Sequence, residues 1–175
     1  MNALSAALAG AALSAGLIAL AAPQSAWAHD DDHRIRVKLD GYAETPLALS
    51  SPASGRFRLT VDRNGQAIRY ELSYEGFTSN VTQSHIHFGS RSQTGGIVAF
   101  LCSNLGNGPT GTQTCPSPAG TISGTLRPAD VIGPAGQGIA VGEFAEFLNA
   151  IDEGSTYVNI HSANFPAGEI RAQLR

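Results

Sequence analysis

The sequence lacks several features that identify common classes of enzymes and nucleic-acid-binding proteins. It contains no Gly-x-Ser-x-Gly turn of the kind that presents a hydrolase serine, no glycine-rich nucleotide loop and no internal repeat. The 11 Lys and Arg residues and the 14 Asp and Glu residues give a net charge of −3, and the two signs are interspersed along the chain. We therefore expect no basic surface that would neutralise phosphates, and no nucleic-acid binding.

The N-terminal segment, residues 1–28, lacks Asp, Glu, Lys and Arg altogether. Its apolar block, residues 11–20, is followed by the small-residue triplet Ala26-Trp27-Ala28. This pattern predicts a secretory signal peptide that is cleaved before His29, although the usual N-terminal Lys or Arg is missing. A retained membrane anchor is the alternative, but the block is shorter than the about 20 residues that a spanning helix needs. We expect a secreted or periplasmic protein without membrane association after cleavage.

The remaining chain has the length of one ordinary domain. We place a polar tail at residues 29–34 and a single domain at residues 35–175. In the tail, His29 and His33 flank three aspartates, and this segment is either a metal chelator or a solvated terminus with nothing to hold it.

Cysteine is scarce, since only Cys102 and Cys115 are present. In an exported protein two cysteines this close in sequence are expected to form a disulfide bond, and metal ligation is the alternative. The enclosed segment, residues 103–114, is rich in turn-forming residues. Closing a loop of this length should stabilise the fold by about 3 kcal/mol.

Short runs in which apolar and polar residues alternate dominate the domain, as in Ile35, Val37 and Leu39. Such runs are typical of half-buried antiparallel strands. An Asn64-Gly65 pair between two of the runs predicts a tight type I′ hairpin. The pattern predicts an all-β protein, an antiparallel, Greek-key-like β-sandwich of about eight strands. The expected strands lie at residues 35–39, 56–61, 68–72, 81–88, 97–102, 120–126, 156–161 and 169–174.

One segment departs from the two-residue period. Apolar residues recur at helical spacing at Phe144, Phe147, Leu148 and Ile151, and Gly154 can end a helix in the left-handed conformation. We predict a single short amphipathic helix whose aromatic face covers one end of the sandwich. A ligand-binding role for its aromatic residues is the alternative.

The most informative motif is His85-Ile86-His87, together with the later run that ends in His161. If Ile86 points into the core, both neighbouring histidines stand on the opposite face of the strand, about 6.5–7 Å apart at their Cα atoms. The third imidazole, on a neighbouring strand, would complete a metal site of the kind that copper, zinc or iron occupies. The alternative is that these histidines lie on an ordinary solvated strand.

The order of several segments resembles the CHRD domain, the module that is repeated in chordin. The segments are residues 84–89, 96–101, 120–126 and 157–162, and the C-terminal run 166–174, in which tyrosine-x-asparagine-x-histidine and glycine-glutamate-isoleucine-arginine are the most specific parts. Ala167 and Ala172 stand where the family often has glycine. The resemblance covers about residues 35–174 and implies a β-sandwich that serves as a binding module.

A second resemblance, to the copper site of Cu/Zn superoxide dismutase, covers only scattered residues. It implies that His85, His87 and His161 are metal ligands and that Arg171 attracts superoxide or a similar small anion. No cluster for a second, zinc ion follows, so the resemblance implies one redox-active metal ion, copper or iron.

Three further residues are candidates for supporting this site. Asn159 lies on the expected ligand face, and Tyr157 is a fourth ligand, a hydrogen-bond partner or a packed aromatic. Glu169 either supports the site or forms a cross-strand ion pair with Arg171.

These observations lead to two functional hypotheses. The first is an exported CHRD protein that binds a single redox metal, copper or iron, with superoxide dismutation as its candidate reaction. The alternative is a non-catalytic extracellular module that binds a protein or matrix component through a polar histidine surface. Convergence of the three imidazoles on one point would favour the first hypothesis.

Overall fold

A computed structural model describes residues 33–175 and contains eight strands and one α-helix. Residues 1–32, which include the predicted signal peptide and His29, lie outside the described residues. The elements are β1 (Arg34–Leu39), β2 (Ser54–Val61), β3 (Ile68–Glu75), β4 (Val81–Phe88), β5 (Gly96–Ser103), β6 (Gly120–Leu126), α1 (Phe144–Asp152), β7 (Thr156–Ser162) and β8 (Ile170–Gln173).

The strands form two four-stranded antiparallel sheets. The first sheet has the order β1-β2-β3-β6 and the second the order β5-β4-β7-β8, so the chain crosses between the sheets after β3, β5 and β6. The prediction of an eight-stranded antiparallel β-sandwich is therefore confirmed.

Alternation of side chains explains how the first sheet contributes to the core. In β2, Phe57, Leu59 and Val61 are buried whereas Arg56 and Arg58 are exposed, because successive residues of a strand point to opposite faces. The buried faces of both sheets share one continuous core with the helix. The second sheet differs, since every residue of β7 and β8 is buried on both faces.

The helix is where the sequence predicted it. Phe144, Phe147, Leu148 and Ile151 are buried in the common core, and Gly154 adopts a positive φ of 61° just after the helix. The helix thus belongs to the core of the sandwich, as expected of an amphipathic segment.

The turn between β2 and β3 differs from the predicted two-residue hairpin. Strand β2 ends at Val61 and β3 begins at Ile68. Among residues 33–175 no residue other than glycine has a positive φ, which a type I′ turn would require of Asn64. The Asp62 carboxylate accepts hydrogen bonds from the backbone N–H groups of Gln66 and Ala67. This side-chain cap stabilises a longer loop, and that is why the tight turn is absent.

The first strand begins within the segment assigned to the polar tail. Strand β1 starts at Arg34, and the carbonyl of His33 accepts a hydrogen bond from Val61, so the sheet takes in the last residues assigned to the tail. Across residues 33–175 there is no helix of the length and apolar character that crossing a bilayer requires.

The two cysteines are joined by a disulfide bond between Cys102, at the end of β5, and Cys115, as predicted. The side chain of Asn104 fixes the enclosed loop by donating to the carbonyls of Val81 and Cys115. A disulfide bond fits an oxidising compartment.

The exposed face of the first sheet overturns one expectation. Although both signs of charge mix along the sequence, strand pairing brings Arg36 opposite Arg58 and Lys38 opposite Arg56. The expectation of no continuous basic surface is wrong, because sequence spacing does not reveal which residues meet across strands.

Candidate metal centre

The three histidines lie on the outer face of the second sheet, on the adjacent strands β4 and β7. His85 is paired with Asn159 and His87 with Tyr157, while His161 is opposite Gln83. His161 is therefore a diagonal neighbour of His85, a position that large side chains reach easily. Ile86, Val158 and Ile160 point into the core on the other face, as the alternation predicted.

Strand β5 carries two β-bulges beside the His85-Ile86-His87 segment. Ser84 pairs with Cys102 but His85 pairs with Phe100, and Ile86 pairs with Ala99 but His87 pairs with Ile97. Leu101 and Val98 are thus extra residues, and both are in the core. The bulges bring the Phe100 ring against His85, with 4.4 Å between the ring centres.

All three imidazoles are buried. His85, His87 and His161 are exposed by 1%, 8% and 7%. Two of the rings are held by loops. The carbonyl of Gly95 accepts a hydrogen bond from Nδ1 of His87, and the carbonyl of Pro166 accepts one from Nδ1 of His161. The expectation of an ordinary solvated strand therefore does not describe this face.

The imidazoles converge on one point. One nitrogen from each ring lies within 4.8 Å of the others, and Nδ1 of His85 is 3.2 Å from Nε2 of His161. Two imidazole nitrogens bound to one zinc ion with tetrahedral geometry are about 3.3 Å apart. Within residues 33–175 no other three His, Cys, Asp or Glu side chains form such a group.

The hydrogen bonds of the rings decide which nitrogens are available as ligands. Because Nδ1 of His87 and Nδ1 of His161 each donate to a carbonyl, the Nε2 atom of each ring carries the lone pair. Nε2 of His87 is buried and has no hydrogen-bond partner, and the same is true of Nε2 of His85. A buried nitrogen without a partner is costly unless something binds it. For His85, the nitrogen that lies beside Nε2 of His161 is Nδ1.

The electrostatics keep these rings neutral. Burial, and then the neighbouring histidines, lower the pKa of His85 from 6.5 to about 2. Burial also lowers the pKa of His87 to about 4, against the opposing hydrogen bond to Gly95, and it lowers the pKa of His161. Neutral imidazole is the form that binds metals.

The donor set fits a transition metal. Three neutral imidazoles suit copper, iron or zinc, whereas calcium and magnesium prefer oxygen ligands. Two nitrogens bound to one ion at 2.0–2.2 Å are at most about 4.4 Å apart. The candidate nitrogens of the three rings lie within 4.8 Å of one another, so the rings would need to move by only a few tenths of an ångström to bind one ion.

Tyr157 and Arg171 form a stack that extends from the cluster. The Tyr157 ring is parallel to His87 at 4.7 Å between ring centres, and the guanidinium carbon of Arg171 is 3.4 Å from the centre of the same ring. Because β7 lies between β4 and β8, the two neighbours occupy opposite faces of the tyrosine. Its hydroxyl accepts a hydrogen bond from Gly95, so Tyr157 is a packed aromatic with a bonded hydroxyl.

The structure places Arg171 in the interior. It is 2% exposed, and one of its terminal nitrogens donates to the carbonyls of Ser90 and Gln93. Two roles are predicted for it from the sequence, attraction of an anion or an ion pair with Glu169. Glu169 instead accepts hydrogen bonds from the hydroxyls of Ser51 and Ser162.

Asn159 connects the site to a carboxyl group that the sequence did not reveal. Its amide donates to Glu44 at 2.6 Å. Burial raises the pKa of Glu44 from 4.5 to about 7, although the Arg171 charge acts to lower it. Asn159 therefore lies beside the expected ligands but is held by Glu44 rather than directed at them.

Sequence reasoning missed Glu44, Gly95 and Pro166. Glu44 and Pro166 carry no local signal, since each acts through a contact made only in the folded chain. Gly95 carries a weak one, since it stands in a Gly95-Gly96 pair. The folded chain shows why glycine is needed there: a Cβ atom would lie 1.7 Å from the carbonyl oxygen of Phe88.

Comparison with protein families supplies the remaining observation. The family model for the CHRD domain matches residues 35–174, which is most of the chain. The protein belongs to the CHRD family. A search of curated proteins and a search of solved structures each found no significant match, so the CHRD assignment identifies the fold and leaves the chemistry to the site itself.

Proposed function

We propose that this CHRD protein binds one redox-active metal ion, copper or iron, through His85, His87 and His161. The observation that carries the proposal is the convergence of the three buried rings: one nitrogen from each lies within 4.8 Å of the others, and Nδ1 of His85 is 3.2 Å from Nε2 of His161. A metal ion bound there would also give the buried Nε2 atom of His87 the partner that it lacks.

The chain contributes a rigid, neutral and largely dry ligand set. Gly95 and Pro166 fix the ring orientation of His87 and His161 through Nδ1, as carbonyl partners of metal-bound histidines do in general. Copper or iron held there would supply reversible one-electron transfer, which superoxide dismutation requires. Superoxide dismutation is therefore the reaction that we propose to test first.

Burial of the histidines weighs against the alternative that they are a contact surface. An extracellular module that used them to bind a protein would need them exposed, and none is exposed by more than 8%. Export itself is proposed on the leader pattern and on the disulfide bond, which fits an oxidising compartment.

Metal analysis of the untagged protein tests the proposal. We expect one equivalent of copper or iron per chain after loading and dialysis. His87→Ala and His161→Ala should each lose most of it, and His33→Ala, a histidine at the edge of the other sheet, should retain it. Circular dichroism of each variant separates loss of the metal from loss of the fold.

Two results would contradict the proposal. Equal metal content in folded His87→Ala, His161→Ala and wild-type protein would show that the triad is not the site. Pulse radiolysis of the loaded protein tests the reaction, and no superoxide consumption above that of the free ion would remove the enzyme activity while leaving the metal site.

A further inference from the structure

The exposed face of the first sheet concentrates positive charge in a protein whose net charge is −3. Six of the 11 Lys and Arg residues are on this face, on strands β1, β2 and β3. We call five of them the basic stripe, since they occupy two adjacent strands: Arg34, Arg36, Lys38, Arg56 and Arg58.

Strand register places like charges directly opposite each other within the stripe. Arg36 faces Arg58, and Lys38 faces Arg56. Directly opposed like charges destabilise a sheet. The ion pair of Arg58 with Glu71 on β3, at 2.7 Å, offsets part of this repulsion. A surface that serves folding alone would not need this arrangement, and an anionic partner would relieve it.

A groove of about 490 Å³ crosses one end of the stripe. Its lining combines cationic, hydroxyl and carboxylate side chains. The lining includes Lys38, Arg56, Ser54, Ser73, Thr121, Asp40 and Glu75. This mixture of cations and hydroxyl groups matches a ligand that carries both anionic groups and hydroxyls.

We propose that the basic stripe and its groove bind a linear acidic polysaccharide. The stripe extends about 14 Å from Arg34 to Lys38 at the rise of an antiparallel strand, so it presents cations in a line rather than at one point. Arginine binds sulfate and carboxylate groups in a bidentate manner. Ser73 and Thr121 would bind sugar hydroxyls.

The same face is poorly suited to single-stranded nucleic acid. Binding of unpaired bases relies on aromatic side chains on which the bases stack. The exposed positions of β1, β2, β3 and β6 carry Arg, Lys, Ser, Thr and Glu, and no aromatic residue. The site is also separate from the histidine cluster, which lies on the outer face of the other sheet, so this inference does not depend on metal binding.

Heparin is the probe, because it is linear and carries sulfate and carboxylate groups. Affinity would be measured at several salt concentrations for wild-type protein and for Arg36→Gln/Arg56→Gln, which removes one charge from each opposed pair. The control is Arg127→Gln/Arg175→Gln, which removes the same charge at exposed positions away from the stripe. We expect the stripe variant to bind about tenfold more weakly and with a smaller salt dependence, and the control to bind nearly as wild type.

Stability provides a second readout. Relief of the like-charge pairs should leave the urea midpoint of Arg36→Gln/Arg56→Gln unchanged or higher, so weaker binding could not be attributed to unfolding. Equal loss of affinity in both double variants, or none in the stripe variant, would overturn the proposal. Binding of a single-stranded oligonucleotide or of phosphatidylserine vesicles as tightly as heparin, with the same dependence on the stripe, would overturn the choice of partner. His87→Ala should bind heparin as wild type does.

Discussion

The guanidinium group of Arg171 lies flat against Tyr157, with its central carbon 3.4 Å from the ring centre. The other face of the tyrosine is covered by His87. A buried cation is therefore coupled to a candidate metal ligand through one aromatic ring. This arrangement gives Arg171 a positioning role that neither the ion-pair nor the anion-attraction hypothesis included.

Replacement of Arg171 should destabilise the protein. Arg171→Gln would remove the stacked cation that donates to the carbonyls of Ser90 and Gln93, so we expect the free energy of unfolding to fall by about 2–4 kcal/mol. Arg171→Lys keeps the charge but lacks the planar guanidinium group, so it should recover only part of this loss. Urea denaturation measures this, and the exposed Arg127→Gln is the control, with a change below about 0.5 kcal/mol. Wild-type stability of Arg171→Gln would show that the guanidinium contacts contribute nothing to stability.

The same variant tests the hypothesis of anion attraction. If Arg171 attracted superoxide, Arg171→Gln would lower the rate constant by about tenfold and weaken its dependence on ionic strength. Because the side chain is 2% exposed, we expect instead that the dependence on ionic strength is the same in both proteins. Pulse radiolysis of the metal-loaded proteins at several salt concentrations distinguishes the two outcomes.

Gly95→Ala should impair both stability and metal binding. The added Cβ atom would lie 1.7 Å from the carbonyl oxygen of Phe88, so the loop must move and withdraw the carbonyl that orients His87. We expect a loss of more than about 2 kcal/mol and weaker metal binding, measured by denaturation and by competition with a chelator. Gly136→Ala, where a Cβ meets nothing within 4 Å, is the matched control and should be nearly neutral.

The metal-free protein should lose stability as the pH falls below about 6.5. The unfolded chain binds protons on its histidines near 6.5, whereas His85 and His87 in the folded protein have pKa values of about 2 and 4. The unfolded state therefore takes up more protons, and each such histidine contributes a loss of about 1.4 kcal/mol per pH unit between these values. Denaturation in the presence of a chelator between pH 7 and pH 4 measures it.

Glu44 provides the control for that pH dependence, because its effect has the opposite sign. Its folded pKa of about 7 lies above its ordinary value of 4.5, so it stabilises the folded protein most at low pH and loses this contribution as the pH rises through 7. Glu44→Gln should therefore make the acid loss steeper. Arg171 and Glu169 also face Glu44, and the arginine stays protonated throughout this range.

For the wild-type protein, a stability that does not change between pH 6.5 and pH 4 would contradict the prediction of three buried, neutral histidines.

The disulfide bond should stabilise the fold by about 3 kcal/mol through the loop it closes. We expect Cys102→Ser/Cys115→Ser and the reduced wild-type protein to lose this free energy of unfolding, which urea denaturation measures. Gln113 and Asn104 also tie this loop to the sandwich, so the variant should still fold. A double variant with wild-type stability would mean that these hydrogen bonds alone hold the loop.

The sequence predicted the elements that depend on local pattern. Alternation in β2 and β3 gave the first sheet, and helical spacing from Phe144 to Ile151 gave the helix. The alternation of His85, Ile86 and His87 also gave the histidine cluster, because a strand fixes which side chains share a face. These features require no knowledge of distant contacts.

The features that the sequence did not predict arise from pairings across the fold. The opposition of Arg36 and Arg58 depends on strand register, and the contact of Glu44 with Asn159 joins residues 115 positions apart. In β5 the near-continuous apolar run hides two bulges, since Val98 and Ala99, and then Leu101 and Cys102, are buried in succession. Periodicity alone cannot show where an extra residue is inserted.

Those bulges make the length of β5 a constraint in its own right. Each extra residue reverses the inside and outside of the strand, and the second reversal restores the first. Deletion of Val98 or Leu101 alone would exchange the core and outer faces over part of the strand, even though every remaining residue is unchanged. Deletion of both would return a regular strand. Among CHRD relatives, length changes in this strand should therefore occur in pairs, and gaps in an alignment will be more informative there than substitutions.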